Sequence, residues 1–420
     1  MRHSSGAISG VVVTKSGGRD VLDYVSSTND GREWTHFTPK SIRGLSDSVT
    51  QPALDGNDQG VYVSYVAGSR GHVLSILGAP SHPVYRDSGD LTGAGKNQYS
   101  FIAASRNGFK TVAYGWFDRE TGAINVGVSP DGKTFPRTRH IAFDKDALYG
   151  PALGVLGQYV IVSYLTRNPR ITGSQRVPGS AAVAWVESSD GGRTWSSPSA
   201  LYGSLKSISA SVTDRGVTKF RLINLANAVP KIADFSQSLV WADFTMANSR
   251  VFVSSTLQYT IPWSGRTGSI GVVSFKMPKS GGEWTHVAAG DVVESGSAPN
   301  TWLHQYSALP DTPIRAVSYI EHVGQRSQSG EELVVAVSTD TGKTFDHFVR
   351  YGAVQLGLSA NSKLLARTSP CLWRDASGKV SIDAFVSAGN DMDSPSTVAH
   401  LKLPLGLNIK GHVVAGSQTW

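Results

Sequence analysis

The chain has 420 residues, of which 40% are apolar and 17% are charged, and it contains 45 glycines and 19 prolines. This composition is typical of a globular, turn-rich protein that is long enough to bury a sizeable core. The single cysteine excludes an internal disulfide framework. The net charge of +7 comes from scattered basic residues, not from a basic arm of the kind that binds nucleic acid, so we expect only weak steering towards an acidic partner or surface.

The sequence shows neither a membrane span nor a secretory signal. No stretch is long and apolar enough to cross a bilayer, and the first ten residues, MRHSSGAISG, lack the apolar segment of a signal peptide. We therefore expect synthesis in the cytoplasm, followed by use inside the cell, release by lysis or assembly into a virion. Membrane insertion is not expected.

Four copies of a short stretch rich in serine, aspartate and glycine recur along the chain. Each follows an alternating apolar run and precedes another short run, so each is predicted to be the turn of a β-hairpin. Serine and aspartate oxygens can accept hydrogen bonds from the turn, glycine can adopt a positive φ, and the final aromatic begins the return strand. In chain order the turns contain Ser27 and Trp34; Ser129, Asp131 and Phe135; Ser188, Asp190, Gly192, Thr194 and Trp195; and Ser338, Asp340, Gly342, Thr344 and Phe345, while a degraded fifth copy ends at Trp284.

These stretches resemble the Asp box, S-x-D-x-G-x-T-W, of sialidases and other propellers built from bacterial neuraminidase repeats. The copies that begin at Ser188 and Ser338 match it best. The resemblance implies a β-propeller in which the boxes are structural and lie away from the substrate pocket.

A second repeat lies between the boxes and consists of an apolar start, a polar turn and a β-branched run that usually ends in an aromatic. Its clearest copies begin at residues 52, 101 and 151, and looser copies begin at 239, 302 and 370. Where a box hairpin follows this two-stranded unit, the pair makes four strands, and the spacing fits blades arranged radially.

We therefore predict an all-β protein in which residues 1–420 form a single β-propeller domain of four-stranded antiparallel blades. The N-terminal box hairpin belongs to none of the six copies of the second repeat, so we prefer seven blades. The alternative is six blades, the number found in sialidases. The tail NIKGHVVAG would supply the missing strand and close the ring by pairing the two ends of the chain. The stretch 205–237 is either an inserted hairpin or a degenerate blade.

The direction of the strands predicts which end of each blade is free to bind a ligand. Because strands alternate in direction, the boxes, which join third to fourth strands, mark the end opposite to the loops between second and third strands. Arginine forks and an aromatic ring suit a carboxylate or a sugar, and solvated loops are the alternative. The candidate binding residues in these loops are Arg70, Arg167, Arg170, Arg176, Trp263, Arg266, Glu321 and Arg326, and the loop at 388–396 also carries Asp391 and Asp393.

The sialidase resemblance implies three arginines on the substrate carboxylate, a Tyr–Glu nucleophile pair and an aspartate acid/base, and the sequence departs from this set. Thr50 stands where the first arginine is expected in VTQPAL, and Tyr149 stands there in LYGPAL. No aspartate follows soon after Arg70. Tyr319 and Glu321 are the nearest approach to the nucleophile pair, and as alternate residues of one strand they do not necessarily touch. No catalytic residue is therefore assigned.

The sequence gives weaker evidence for a phosphate-binding loop or a metal site. The stretch DLTGAGKNQ lacks the first glycine and the hydroxyl of a phosphate-binding loop, and NDMDS suits an exposed turn better than a calcium site. The eleven histidines form no close pair with metal-ligand spacing. No cofactor or metal is predicted.

The sequence thus favours a non-catalytic propeller that acts as a structural or binding module. A bacteriophage virion component, such as a tail or fibre attachment protein, would suit it, with protein partners in a larger assembly or a glycan or acidic surface as ligand. The alternatives are a lectin-like carbohydrate binder and a glycoside hydrolase, whose carboxylates would be Glu321, Glu331 or Asp391.

Overall fold

A computed structural model of the chain describes most of its first half and shorter segments of the second. The described residues are 6–39, 47–78, 82–91, 98–105, 109–147, 151–166, 168, 170, 182–200, 208–214, 217–223, 250–253, 257–264, 270–276, 285–293, 305–309, 312–323, 330–340, 344–345, 347–360, 362–365, 371–375, 377–389 and 395–408. Their strands form seven sheets, and their contacts divide the chain into two compact units. The prediction of an all-β protein with four-stranded antiparallel sheets is confirmed.

The first unit contains four sheets, in each of which the order of strands follows the order of the chain. The first sheet has strands β1 (Ile8–Ser16), β2 (Arg19–Ser27) and β3 (Thr35–Phe37), and the second has β4 (Val49–Asn57), β5 (Gly60–Ala67), β6 (Arg70–Leu77) and β7 (Val84–Asp87). The third sheet has β8 (Gln98–Ala104), β9 (Val112–Asp118), β10 (Ala123–Ser129) and β11 (Arg139–Phe143), and the fourth has β12 (Ala152–Leu156), β13 (Tyr159–Thr166), β14 (Ala182–Ser188) and β15 (Ser199–Ala200).

Neighbouring sheets of the first unit pack face to face because both faces of their inner strands are apolar. Every residue of β5 is buried, with Tyr62 and Val66 directed at the third sheet, where they pack against Tyr114 and Trp116. The third and fourth sheets share a second cluster, which includes Phe117. Stacked four-stranded antiparallel sheets of this kind are the units from which a β-propeller is built.

The second unit contains three sheets. The fifth sheet has β16 (Ile208–Asp214), β17 (Val217–Ile223), β18 (Arg250–Val253), β19 (Leu257–Ser264), β20 (Ile270–Lys276) and β21 (Thr285–Val293). The sixth has β22 (Gln305–Ala308), β23 (Arg315–Val323), β24 (Gly330–Ser338) and β25 (His347–Gly352), which a short 3-10 helix, Val354–Leu356, follows. The seventh has β26 (Lys363–Leu365), β27 (Cys371–Arg374), β28 (Lys379–Gly389) and β29 (Pro395–Asn408), and it packs on the sixth through apolar side chains such as Leu333 and Ile382.

Two of these sheets depart from a simple four-strand order. In the fifth sheet, the hairpin β16–β17 lies beside β21, with a parallel bridge between Ser211 and Gly290. This hairpin comes from the stretch 205–237, of which residues 208–214 and 217–223 are described. In the seventh sheet, β26 and β27 both pair with one side of β28, and β29 pairs with the other. The C-terminal tail lies outside the described residues, so the number of blades and the closure of the ring stay predictions.

Candidate functional site

The connections between strands divide each four-stranded sheet of the first unit into two ends. The turn between the second and third strands lies at one end, which we call the 2–3 end. The turns from first to second and from third to fourth strands lie at the other end, which we call the box end. The box turns at Ser129–Phe135 and Ser188–Trp195 follow β10 and β14, the third strands of their sheets.

The box turns hold their shape through one repeated set of hydrogen bonds. In the copy that begins at Ser188, the Gly192 N–H donates to Ser188 Oγ over 2.8 Å, and the Thr194 N–H donates to Asp190 Oδ1 over 2.9 Å. The Thr194 hydroxyl donates to Asp190 Oδ2 over 2.6 Å. The copies at Ser129 and Ser338 contain the corresponding Asp–Thr bonds, and Ser27 and Asn29 accept in the same way in the first copy.

The carboxylates of the boxes accept hydrogen bonds from their own turns. The Thr194 hydroxyl and backbone N–H hold the pKa of Asp190 below its usual value. For Asp131 burial alone would raise the pKa, but the Thr134 and Lys133 N–H groups outweigh it, and the pKa is again lowered. Each carboxylate therefore stays ionised while its oxygens accept hydrogen bonds from the turn.

The box aromatics pack inward between sheets. Phe135 contacts Tyr62 of the second sheet and Tyr114 of its own sheet, and Trp195 packs against the cluster shared by the third and fourth sheets. Phe345 has no solvent exposure. The boxes thus have a packing role that accounts for their residue types without a ligand.

At the 2–3 end of the second sheet, a two-residue turn brings a polar cluster together. Gly68, with φ of +59°, and Ser69 join β5 to β6, so that Ala67 pairs with Arg70 and Tyr65 pairs with His72. The rings of Tyr65 and His72 stack, with centroids 5.1 Å apart and planes 11° apart. Arg70 and His72 are alternate residues and therefore share the face of β6 that looks away from the third sheet.

Asp87, at the end of β7, completes this cluster. Tyr65 donates to its Oδ2 over 2.5 Å, the Gly89 N–H donates to its Oδ1 over 2.8 Å, and His72 Nδ1 lies 3.4 Å from the same Oδ1. Burial alone would raise the pKa of Asp87, but the hydrogen bonds from His72, Tyr65 and Gly89 outweigh it and lower the pKa. Burial, together with the negative charge of Asp87, raises the pKa of Tyr65.

Arg70 and Asp90 form the outer, more exposed layer. Arg70 Nη1 lies 3.4 Å from Asp90 Oδ2, and the two side chains are 64% and 36% exposed. The sequence predicts that Arg70 lies in the loop between the second and third strands, but because the turn has only two residues, Arg70 is the first residue of β6. The result is a charged, solvent-facing pair above a buried Tyr–His–Asp layer, with hydrogen-bond donors and acceptors side by side.

The structure describes the other candidate binding residues only in part. Arg170 is exposed, and its N–H donates to Asn168 Oδ1 over 3.1 Å. Trp263 lies on β19, and Tyr319 and Glu321 lie on β23, but their side chains fall outside the description. The remaining candidate binding and box residues lie outside the described part of the chain: Arg167, Arg176, Arg266, Trp284, Arg326, Gly342, Asp391 and Asp393.

The described part of the chain offers no metal site of the usual kind. Among its residues, no three histidine, cysteine, aspartate or glutamate side chains are grouped so that they could hold a metal ion. Nor does this part contain a helix that is both long and apolar enough to span a membrane.

Sequence reasoning did not find His72, Asp87 or Asp90 as site residues. It sought an acid directly after Arg70, whereas the two aspartates come from the end of the next strand and the segment that follows it. The sequence does contain one signal of this cluster, because a two-residue turn at Gly68 pairs Tyr65 with His72 on adjacent strands. Thr50 lies on β4. The loss of the sialidase arginine and the assignment to the Asp-box family stay predictions.

No protein-family model matches the chain, and no curated protein matches it. Among solved structures, the chain is similar to an ulvan lyase of a polysaccharide lyase family, with 13% identity, coverage of 96% of this chain and 91% of that chain, and a TM-score of 0.53. It also matches the haemagglutinin-neuraminidase ectodomain of parainfluenza virus 5, with 9% identity, coverage of 85% and 79%, and a TM-score of 0.44. A Hadza microbial sialidase matches with 12% identity, coverage of 84% and 75%, and a TM-score of 0.32. At this identity the likeness to the ulvan lyase concerns the fold alone.

Proposed function

We propose that this protein is a non-catalytic β-propeller that binds carbohydrate at the 2–3 end of its second sheet. The observation that carries the proposal is the solvent-facing pair of Arg70 and Asp90 above the fixed layer of Tyr65, His72 and Asp87. Sugars are recognised by charged and polar side chains that are fixed before the ligand arrives, because little ordering entropy is then lost on binding.

Two further points support a carbohydrate ligand. The ulvan lyase that shares the fold is, by its name, a carbohydrate-active protein. The box end, by contrast, has its carboxylates committed to turn hydrogen bonds, which leaves the 2–3 end as the more open of the two for a ligand. The absence of an arginine at Thr50 argues against sialidase chemistry, because threonine cannot make a charge-assisted fork to a carboxylate.

A glycan array combined with a turnover assay tests this proposal. We expect binding to at least one class of glycan, no turnover of fluorogenic sialosides, and loss of binding in an Arg70→Ala, Asp90→Ala double variant. Lys133→Gln, a change at an exposed residue of a box turn, is the matched control and should bind like the wild type. Silence across the array would refute the proposal, and turnover that disappears in Glu321→Gln would establish the glycoside hydrolase instead.

We further propose that this protein is a component of a bacteriophage virion, such as a tail or fibre attachment protein. There a rigid glycan-binding propeller would recognise the host. Recovery of the protein in purified particles tests this setting separately from the binding itself. Particles that lack the protein would contradict the setting and leave the binding proposal standing.

A further inference from the structure

The connection from the third sheet to the fourth carries a buried carboxylate of which only one oxygen is bonded. Asp144 follows β11 directly and is 1% exposed. Its Oδ1 accepts hydrogen bonds from the Asp146 N–H over 3.0 Å and from Asn168 Nδ2 over 3.3 Å. Its Oδ2 is also buried, and no donor among the described residues bonds to it. A buried ionised carboxylate is strongly unfavourable unless a cation or further hydrogen bonds balance its charge.

A tyrosine of the fourth sheet lies near this carboxylate and has an unbonded hydroxyl. Tyr164 has no solvent exposure and packs in the cluster shared by the third and fourth sheets. Within the described part of the chain, its hydroxyl oxygen has no hydrogen-bond partner. Burial, together with the negative charge of Asp144, raises the pKa of Tyr164. The phenol therefore stays neutral, and its oxygen offers lone pairs.

The pairing of the chain brings a third oxygen to the same corner between the two sheets. The Ala147 N–H donates to the Asp144 carbonyl over 3.2 Å, and Ala147 forms an antiparallel bridge with Thr166 of β13. Thr166 and Tyr164 are alternate residues of β13, so their side chains share one face of the strand. Thr166 is fully buried, and its Oγ1 accepts a hydrogen bond over 2.9 Å from the N–H of Asn168, whose side chain bonds Asp144. The corner thus collects oxygens from Asp144, Tyr164 and Thr166.

We infer that this corner binds one monovalent metal cation, such as Na⁺, through Asp144 Oδ2 and the hydroxyl oxygens of Tyr164 and Thr166. Hard cations bind oxygen ligands, and one carboxylate with neutral hydroxyls balances one positive charge. The described residues contain no group of three acidic, histidine or cysteine side chains that would suit a divalent or transition metal. The bound cation would fasten residues 144–147 to β13 and so hold the third sheet against the fourth at their 2–3 end. This inference goes beyond the proposed function and does not depend on it.

The second sheet shows what the same two residue types do when they meet directly. Tyr65 and Tyr164 each end a Val-Ser-Tyr sequence two residues before the end of a second strand, while Asp87 and Asp144 lie at or directly after the end of a fourth strand. Tyr65 and Asp87 belong to one sheet and bond over 2.5 Å. Tyr164 and Asp144 belong to neighbouring sheets and do not bond to each other. Because the direct bond occupies the Asp87 oxygen, we expect a cation at Asp144 and not at Asp87.

Melting temperatures in sodium-free buffer with added NaCl or choline chloride at equal ionic strength test this site. Choline is too large for a buried corner, so it controls for screening. We expect NaCl to raise the melting temperature of the wild type above that in choline chloride, by about 2 °C when sodium exceeds its Kd about tenfold. Sodium-23 NMR relaxation measures that Kd. Asp144→Asn should abolish the difference and Tyr164→Phe should reduce it, whereas Asp87→Asn and Asp146→Asn, the latter at an exposed neighbour, should keep it.

Four results would overturn the cation site. Equal melting temperatures in the two salts would show that no sodium binds, and a sodium effect that survives Asp144→Asn would place the ion elsewhere. A larger rise with CaCl₂ at equal ionic strength would contradict a monovalent site. If Arg167, which lies outside the described residues, balances Asp144 instead, Arg167→Ala should destabilise as much as Asp144→Asn, with no difference between the salts. Should Asp144→Asn fail to fold, sodium-23 relaxation in Tyr164→Phe decides, because unchanged sodium binding there would also contradict the site.

Discussion

The Tyr65 hydroxyl donates a 2.5 Å hydrogen bond to Asp87 Oδ2, which ties the second strand of the second sheet to the end of its fourth strand. Tyr65 has no solvent exposure, and the Asp87 side chain is 13% exposed. Neither group can readily exchange its partner for water. This bond therefore fixes the layer on which the more exposed Arg70 and Asp90 are set.

Replacing Tyr65 with phenylalanine removes the donor and leaves a largely buried carboxylate oxygen with one partner fewer. We expect the free energy of unfolding to fall by about 1–3 kcal/mol, because an unsatisfied buried polar group costs its desolvation energy. Urea unfolding measures this. Tyr99→Phe, at a partly buried tyrosine of the third sheet, is the control and should cost under about 1 kcal/mol. Equal losses in the two variants would contradict the role given to the Tyr65–Asp87 bond.

The lowered pKa of Asp87 predicts how stability depends on pH. Because the pKa is lower in the folded protein than in the unfolded chain, the ionised carboxylate stabilises the fold above its unfolded pKa, about 4. That contribution is lost as the pH falls through the folded value. We expect Asp87→Asn to be less stable than wild type at neutral pH, with the gap closing in acid. A gap that stays constant with pH in unfolding curves would show that Asp87 does not act through its charge.

The box turns should matter for stability and not for ligand binding. Ser188→Ala leaves the Gly192 N–H without its acceptor, and because Ser188 is 3% exposed we expect a loss of about 1–3 kcal/mol. Ser189→Ala, at the exposed neighbouring residue, should be near neutral. Glycan affinity should be unchanged in both variants when measured at a temperature where both are folded. A loss of affinity with unchanged stability in Ser188→Ala would mean that the box is a ligand site.

The packing of the second sheet on the third depends on a glycine. A Cβ added at Gly71 would lie 2.1 Å from Trp116 Cε2, and Trp116 is fully buried. Gly71→Ala should therefore cost about 1–3 kcal/mol through overpacking. At Gly352 the nearest atom to an added Cβ is Gln355 Oε1 at 3.4 Å, so Gly352→Ala is the control and should be tolerated. A neutral Gly71→Ala would contradict this packing of the indole.

The sequence predicts most of the strands and turns because their signals are local. Alternating apolar residues before Ser129 and Ser188 give the third strands, and serine, aspartate and glycine between them give the turns. The cluster at the 2–3 end is harder to predict. Asp87 lies 15 residues from His72, and their contact depends on how the chain turns back between β6 and β7, which residue spacing does not encode. Arg70 could be chosen as a binding residue from its position, but its partner Asp90 could not.

Hydrogen exchange of backbone amides, with and without a bound glycan, tests the central claim most directly. The account predicts that a glycan protects residues 66–73 and 87–91, at the 2–3 end of the second sheet, and leaves the box turns at 129–135 and 188–195 unchanged. Protection of those box turns, with no change around Arg70 and Asp90, would contradict it.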